Sequence, residues 1–138
     1  MGALTRFSVS IDSELLKRFL QLGRKRGWQN RSEALRDIMR EALVREEWER
    51  DDEIVGTITM VYDHHRRELT ERLTGMQHEH HDAVLATMHI HLDHDNCLEV
   101  VAVKGSASGV QRIADTLIAM KGVKHGKLAA TTTGRKLR

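Results

Sequence analysis

The chain of 138 residues has one cysteine and no proline, and aromatic side chains make up only 4% of it. A single cysteine cannot form an internal disulfide, which excludes a disulfide-stapled secreted scaffold and favours a reducing compartment. Average usage would give about seven prolines, so a proline-rich linker is excluded as well. The apolar runs are far shorter than the roughly 20 residues that cross a bilayer, so we expect no membrane association. No charged-then-apolar leader is present, and we expect a cytoplasmic protein.

Charge and histidine divide the chain into two parts. Residues 1–45 contain ten Lys and Arg against five Asp and Glu, a balance of +5. Because the whole chain has a formal charge of +2, residues 46–138 have −3, and they contain all nine histidines. The charged stretch after Trp48 lacks apolar periodicity and is predicted to connect the two parts. We therefore predict an N-terminal domain over 1–48, a linker over 49–53, a histidine-rich domain over 54–133 and a basic tail over 134–138.

The basic part predicts one strand followed by two helices. Residues 6–11 alternate strictly between polar and apolar side chains, as a half-buried strand does. Asp12 offers an N-cap for the first helix, and Asn30-x-x-Glu33 resembles the capping box of a second. A single strand has no partner strand within the module. A module this short also buries few apolar side chains in a core of its own. We therefore expect two copies to intertwine and to pair their strands into a ribbon.

This strand-helix-helix order resembles the ribbon-helix-helix family of DNA-binding proteins. The likeness rests on the alternating strand, the helix start over 12–16 and the segment 27–34. In that family the ribbon enters the major groove and reads base edges, while the start of the second helix holds phosphates through backbone N–H groups. The alternative is an ordinary dimerisation module whose polar strand face meets water. By position, the residues that the resemblance assigns to DNA are Arg6, Ser8, Ser10, Asn30, Arg31 and Ser32.

The histidine-rich part predicts strands and helices in the order β-α-β-β-α-β. This order is typical of a ferredoxin-like domain with an antiparallel sheet. With the βαα part before it, the predicted fold class of the chain is α+β. The strands are predicted over 54–62, 83–93, 97–104 and 123–131, and the helices over 64–77 and 106–120.

The middle two of these strands predict a metal site. A three-residue turn over 94–96 would place His89, His91 and Cys97 on one face, with Glu99 opposite His91. Two imidazoles and a thiolate are borderline or soft ligands within reach of one transition-metal ion. A catalytic thiol is the alternative, but no glycine-rich elbow or oxyanion motif accompanies Cys97, and we expect no enzyme. Residues 77–82 are predicted to supply a fourth ligand. The remaining histidines, which include His64, His65, His94 and His125, are predicted to be solvated.

From about residue 5 to about residue 130 the chain resembles the nickel-responsive ribbon-helix-helix transcriptional regulators. The likeness rests on Gln77-His78-x-His80-His81-Asp82 and on His89-x-His91-x-x-His94-Asp95-x-Cys97-Leu98-Glu99. The resemblance implies an ACT-like, ferredoxin-like C-terminal domain and a homotetramer, a dimer of dimers. It also implies one Ni(II) per subunit in a planar site of three histidines and one cysteine. Carried over by position, the ligands are His89, His91 and Cys97 of one subunit and His78 of the partner subunit.

Further residues are assigned around that site. Ligating histidines usually donate their other N–H to an oxygen, so Glu99 and Tyr62 are predicted to hold them. The resemblance also implies a secondary cation position with Glu33 and Asp37. The predicted function is a nickel-dependent repressor of nickel-uptake or nickel-enzyme genes, with double-stranded operator DNA as its partner and no protein partner implied. Two alternatives stay open: a metal-independent repressor whose C-terminal domain senses a small molecule, and a metal-storage or chaperone protein.

Overall fold

The computed structural model describes residues 2–137, and for Arg67 it describes the backbone alone. The first residue of the predicted N-terminal domain and the last of the predicted tail lie outside that range. The chain forms two compact units, one up to Arg45 and one over Glu46–Arg135. No helix of the described residues is long and apolar enough to cross a membrane. The elements are α1 (Ser13–Arg26), α2 (Arg31–Glu49), β1 (Glu53–Asp63), α3 (Arg67–Glu79), β2 (Val84–His91), β3 (Asn96–Ser106), α4 (Ala107–Ile118) and β4 (Val123–Thr132).

Both helices of the first unit begin at the caps that the sequence predicts. The Asp12 carboxylate accepts hydrogen bonds from two backbone N–H groups in the first turn of α1, at 3.0 and 3.1 Å. Gly27 ends that helix with a left-handed φ of 76°. The Asn30 side chain accepts from the Glu33 N–H at 2.8 Å, and the Glu33 carboxylate accepts from the Gln29 N–H at 3.1 Å. The capping prediction is confirmed.

Residues 6–11, predicted to be a strand, form neither a helix nor a strand in the described chain. The physical reason is that strand hydrogen bonds need a second strand, and the described sheet contains only β1 to β4. The side chains of Phe7 and Val9 are 64% and 60% exposed. Leu15 and Ile38 on the two helices are also exposed. The first unit therefore leaves several of its large apolar side chains exposed, although Ala34 is buried and the Phe19 and Trp28 rings lie 5.5 Å apart.

The second unit is an antiparallel four-stranded sheet in the order β2-β3-β1-β4. The α+β class and the β-α-β-β-α-β order are confirmed. The inner strands β1 and β3 alternate buried with less buried side chains, because one face of the sheet packs on α3 and α4. The side chains that build this core include Ile54, Ile58, Met60, Tyr62, Leu69, Leu73, Cys97, Val101, Val103, Val110, Ile113 and Leu117.

The hairpin of β2 and β3 has a different register from the predicted one. His91 pairs with Cys97, whereas the sequence analysis placed Glu99 opposite His91. The prediction was wrong because Asp93 lies in the turn and not in the strand. Its carboxylate accepts from the N–H groups of Asp95 and Asn96, both at 2.8 Å. The shift amounts to two residues, and since side chains alternate along a strand, each keeps its predicted face.

The start of α3 also differs from the prediction. A helix was expected from residue 64, but α3 begins at Arg67. The Asp63 side chain accepts a hydrogen bond from the His65 N–H at 2.9 Å, and the Asp63 carbonyl accepts from the Arg66 N–H at 3.2 Å. These bonds form a turn that delays the helix. His64 and His65 therefore lie in a turn between β1 and α3.

Candidate metal centre

The candidate metal centre lies where the helix-covered face of the sheet reaches the edge strand β2. Tyr62, Cys97 and His91 are cross-strand partners on β1, β3 and β2. His89 and Glu99 form the neighbouring pair on β2 and β3. Since β3 is an inner strand, Cys97 is 0% and Glu99 8% exposed, whereas both histidines of the edge strand are exposed. The cluster thus combines a buried thiol with imidazoles that solvent can reach.

The cysteine and one histidine stand at a separation that suits a shared metal ion. The Cys97 Sγ lies 3.4 Å from the His91 Nδ1. Two adjacent ligands bound at about 2.0–2.3 Å to one ion stand about 3–3.5 Å apart. Imidazole nitrogen and thiolate sulfur are ligands that Ni(II), Cu(II) and Zn(II) accept. The donor set therefore fits a transition-metal ion.

His64 adds a ligand atom that the sequence analysis did not select. The ligand atoms of His64, His91 and Cys97 all lie within 4.8 Å of one another. The backbone N–H of His64 donates to the Asp95 carbonyl at 2.9 Å, and this bond fixes the main chain that carries the ring. The sequence analysis treated this histidine as part of a solvated helix. Its position directly after a predicted strand was the signal that the chain turns at this point.

His89 contacts a buried polar side chain. The Tyr62 hydroxyl lies 2.9 Å from the His89 Nδ1. The Glu99 carboxylate accepts a hydrogen bond from the Gln77 amide at 3.1 Å. Burial and the nearby negative charge of Glu99 raise the pKa of Tyr62, so the phenol stays protonated.

The contact with Tyr62 is compatible with the tautomer of neutral His89 that binds metal through Nε2. In that tautomer the phenol oxygen of Tyr62 accepts the Nδ1–H of His89. The opposite ring nitrogen, Nε2, then carries no proton and can bind a metal ion. Of the two residues predicted to hold a histidine, Tyr62 contacts His89, whereas the Glu99 carboxylate accepts a hydrogen bond from Gln77.

The thiol of Cys97 is protonated before any metal binds. Burial, followed by the negative charges of Glu99 and Asp93, raises the pKa of this thiol. The thiolate is the form that ligates metal, so an ion that binds Cys97 displaces a proton. Metal binding through this thiol would therefore tighten as the pH rises.

The other predicted residues belong to elements other than the β2–β3 hairpin. His78 is exposed in the last turn of α3. Glu33 lies in the first turn of α2, where it belongs to the cap, and Asp37 lies one helical turn further on. The residues assigned to DNA are exposed in the segment before α1 and around the start of α2; they are Arg6, Ser8, Ser10, Asn30, Arg31 and Ser32.

Known proteins match both parts of the chain. Residues 55–131 match the family described as the NikR C terminal nickel binding domain, and residues 5–46 match ribbon-helix-helix protein, copG family. A protein of Geobacter sulfurreducens is 56% identical over 138 residues, covering 99% of each chain. One of Solibacter usitatus is 53% identical over 139 residues, covering 100% of each chain. Both relatives are named "Putative nickel-responsive regulator".

Proposed function

We propose that this chain, which belongs to the nickel-responsive regulator family, is a repressor that binds operator DNA when Ni(II) is bound to it. The two relatives described above are named as nickel-responsive regulators, and neither is named as an enzyme. We further propose that it acts in the cytoplasm on genes for nickel uptake or for nickel enzymes. The observation that carries the proposal is the approach of Cys97 and His91 to 3.4 Å within the part that matches a nickel-binding domain.

The proposed ligands of one Ni(II) per subunit are His89, His91 and Cys97, with His78 of the partner subunit as the fourth. The first three share one face of the β2–β3 hairpin, and Tyr62 leaves Nε2 of His89 free for the ion. His78 is exposed at the end of α3, where a second copy of the chain can reach it. An ion held by these residues would act as a Lewis acid, and a ligand set drawn from two subunits would hold the subunits in one relative arrangement.

We propose that two copies pair residues 6–11 into the ribbon that enters the major groove. The exposed apolar side chains of this segment and of α1 and α2 support the pairing, because a second copy would bury them. Alternation directs Arg6, Ser8 and Ser10 to one side of the ribbon, and Arg is able to bond a guanine with two hydrogen bonds. The first turn of α2, with Asn30, Arg31 and Ser32, offers backbone N–H groups to phosphates.

The proposed assembly is a homotetramer of two such dimers joined through the second units. The outward side chains of β2 and of the residue after it support this arrangement, since Met88, Ile90 and Leu92 are 59%, 39% and 51% exposed. A metal site shared between subunits would then set the spacing of the two ribbons, which couples nickel to DNA.

Glu33 and Asp37 are proposed to contribute to a secondary cation position. They lie four residues apart on α2, so their carboxylates share one face of the helix. A cation bound there would compete with the Gln29 N–H for the Glu33 carboxylate.

DNA binding tests the proposed function. An operator is first selected from a random double-stranded library with the wild-type protein and Ni(II), and its affinity is then measured by fluorescence anisotropy with and without the ion. We expect tight binding only with Ni(II). The Cys97→Ala variant should lose the nickel dependence, and Arg6→Ala should lose DNA binding while it retains nickel. His125→Ala is the control for loss of an exposed histidine outside the proposed site.

Two outcomes would contradict the proposal. Equal operator affinity with and without Ni(II) would exclude the corepressor role and favour a metal-independent repressor. Nickel-regulated DNA binding that survives in a Cys97→Ala, His89→Ala double variant would show that the ligand set is wrong.

A further inference from the structure

A second group of ligand side chains lies outside the proposed nickel ligands. It consists of His65 in the turn between β1 and α3 and of His94 and Asp95 in the turn between β2 and β3. Their ligand atoms all lie within 4.8 Å of one another. The His65 Nε2 is 3.1 Å from an Asp95 carboxylate oxygen, and the His65 and His94 rings are 5.1 Å apart between centroids. All three side chains are exposed, so an ion can reach them from solvent.

Backbone hydrogen bonds hold the two turns together. The His64 N–H donates to the Asp95 carbonyl at 2.9 Å and so joins one turn to the other. The His65 N–H donates to the Asp63 carboxylate at 2.9 Å, and the Asp95 N–H donates to the Asp93 carboxylate at 2.8 Å. The main chain beneath His65 and Asp95 is therefore fixed before a ligand binds. Preorganised ligands lose little conformational freedom when an ion binds.

We propose that His65, His94 and Asp95 form a second, weaker site for a divalent transition-metal ion. Two imidazoles and one carboxylate suit Ni(II), Zn(II) and Co(II), and water would complete the coordination on the solvent side. Adjacent ligands at about 2.0–2.2 Å from an ion stand about 3 Å apart, which is the observed separation between His65 and Asp95. The ion takes the place of the proton between these two atoms, and in the neutral imidazole that proton moves to Nδ1 of His65.

This site is chemically distinct from the first one. It contains no thiolate, so an ion there produces no sulfur-to-metal charge-transfer band. It needs no residue from a second subunit, since all three ligands belong to two neighbouring turns of the same chain. Its affinity is expected to be the lower of the two, because its ligands are exposed and part of the coordination shell is water.

Metal titration of the full-length protein tests the second site. Wild type and variants are titrated with Ni(II) and separately with Zn(II), and bound ions are counted by equilibrium dialysis with elemental analysis while the absorption spectrum is recorded. For wild type we expect a tight equivalent of Ni(II) with a thiolate band and a weaker equivalent without one. The His65→Ala, His94→Ala double variant should lose only the weaker equivalent, at the free-ion concentration that saturates it in wild type. Asp95→Asn, which changes only the carboxylate, should lose it too.

Two further variants separate this site from the proposed function. Cys97→Ala should lose the thiolate band and retain the weaker equivalent. A His80→Ala, His81→Ala double variant removes two exposed histidines elsewhere and should keep both equivalents. The second site is refuted if the His65, His94 variant still binds the weaker equivalent, or if the His80, His81 variant loses it equally. A variant that loses only the thiolate charge-transfer band has lost metal binding at the first site and leaves the second-site proposal intact.

Discussion

The hydroxyl of Tyr62 offers a way to weaken the metal site while the fold is kept. In Tyr62→Phe the ring remains in place, edge-on to His89 with centroids 6.0 Å apart, and the hydrogen bond to His89 is lost. Removal of a group that orients a ligating histidine typically weakens metal binding about 10–100-fold. We therefore expect the nickel dissociation constant to rise by that factor, equivalent to about 1.4–2.8 kcal/mol.

The loss of folding stability in Tyr62→Phe should be smaller than the loss of nickel-binding free energy. A buried polar group that loses its partner costs about 1–3 kcal/mol. Here His89 is exposed and can turn its Nδ1 to water, while the Glu99 carboxylate keeps the Gln77 amide. The free energy of unfolding without metal should therefore fall by about 1 kcal/mol, at the low end of that range.

The assay for this variant is nickel competition with a chelator, together with urea denaturation of the metal-free protein. Thr116→Val is the matched control, since it removes a hydroxyl that bonds the Arg112 carbonyl on α4, outside the network of Tyr62. Its nickel affinity should equal that of wild type. If Tyr62→Phe binds nickel within about twofold of wild type while it remains folded, the role of Tyr62 in orienting His89 is refuted.

Further predictions concern the second unit. A Cβ added at Gly126 would lie 2.5 Å from Ile118 Cγ1, so Gly126→Ala should lower the free energy of unfolding by about 1–3 kcal/mol in urea titrations. At Gly75, inside α3, an added Cβ would have no neighbour within 4 Å, so Gly75→Ala should raise the free energy of unfolding by about 0.5–1 kcal/mol. Equal effects of Gly126→Ala and Gly75→Ala would contradict the packing argument. Hydrogen bonds from Ser108 lower the pKa of Asp51 below its ordinary 3.8. The ionised carboxylate therefore stabilises the fold at pH values above the ordinary pKa. This stabilisation is lost as the pH falls through the lowered pKa. Asp51→Asn should therefore be less stable than wild type near pH 7, and the thermal midpoints of the two should converge in acid; a difference independent of pH would contradict this.

The features that the sequence predicted correctly are local. Asp12 and Asn30 cap their helices through side-chain bonds to residues two or three positions away, a pattern visible in any single chain. The face of each strand residue follows from alternation, which is why His89, His91 and Cys97 share a face although their register was wrong.

The features that the sequence analysis missed depend on turns and on a second chain. Periodicity does not give the length of a turn, so the hydrogen bonds that the Asp93 carboxylate accepts from backbone N–H groups were not predicted. The observed β2–β3 register therefore differs from the predicted one by two residues. The Asp63 turn likewise moved the start of α3 and brought His64 to the site. Residues 6–11 cannot pair within one chain, because strand hydrogen bonds need a partner strand.

The coupling between nickel and operator DNA is tested most directly by measuring nickel affinity twice, with and without a saturating amount of the selected operator. Linkage requires that DNA tighten nickel binding by the same factor by which nickel tightens DNA binding. The proposed corepressor role predicts two equal factors well above one, and Cys97→Ala should abolish both. A nickel affinity that is unchanged by operator DNA would contradict it.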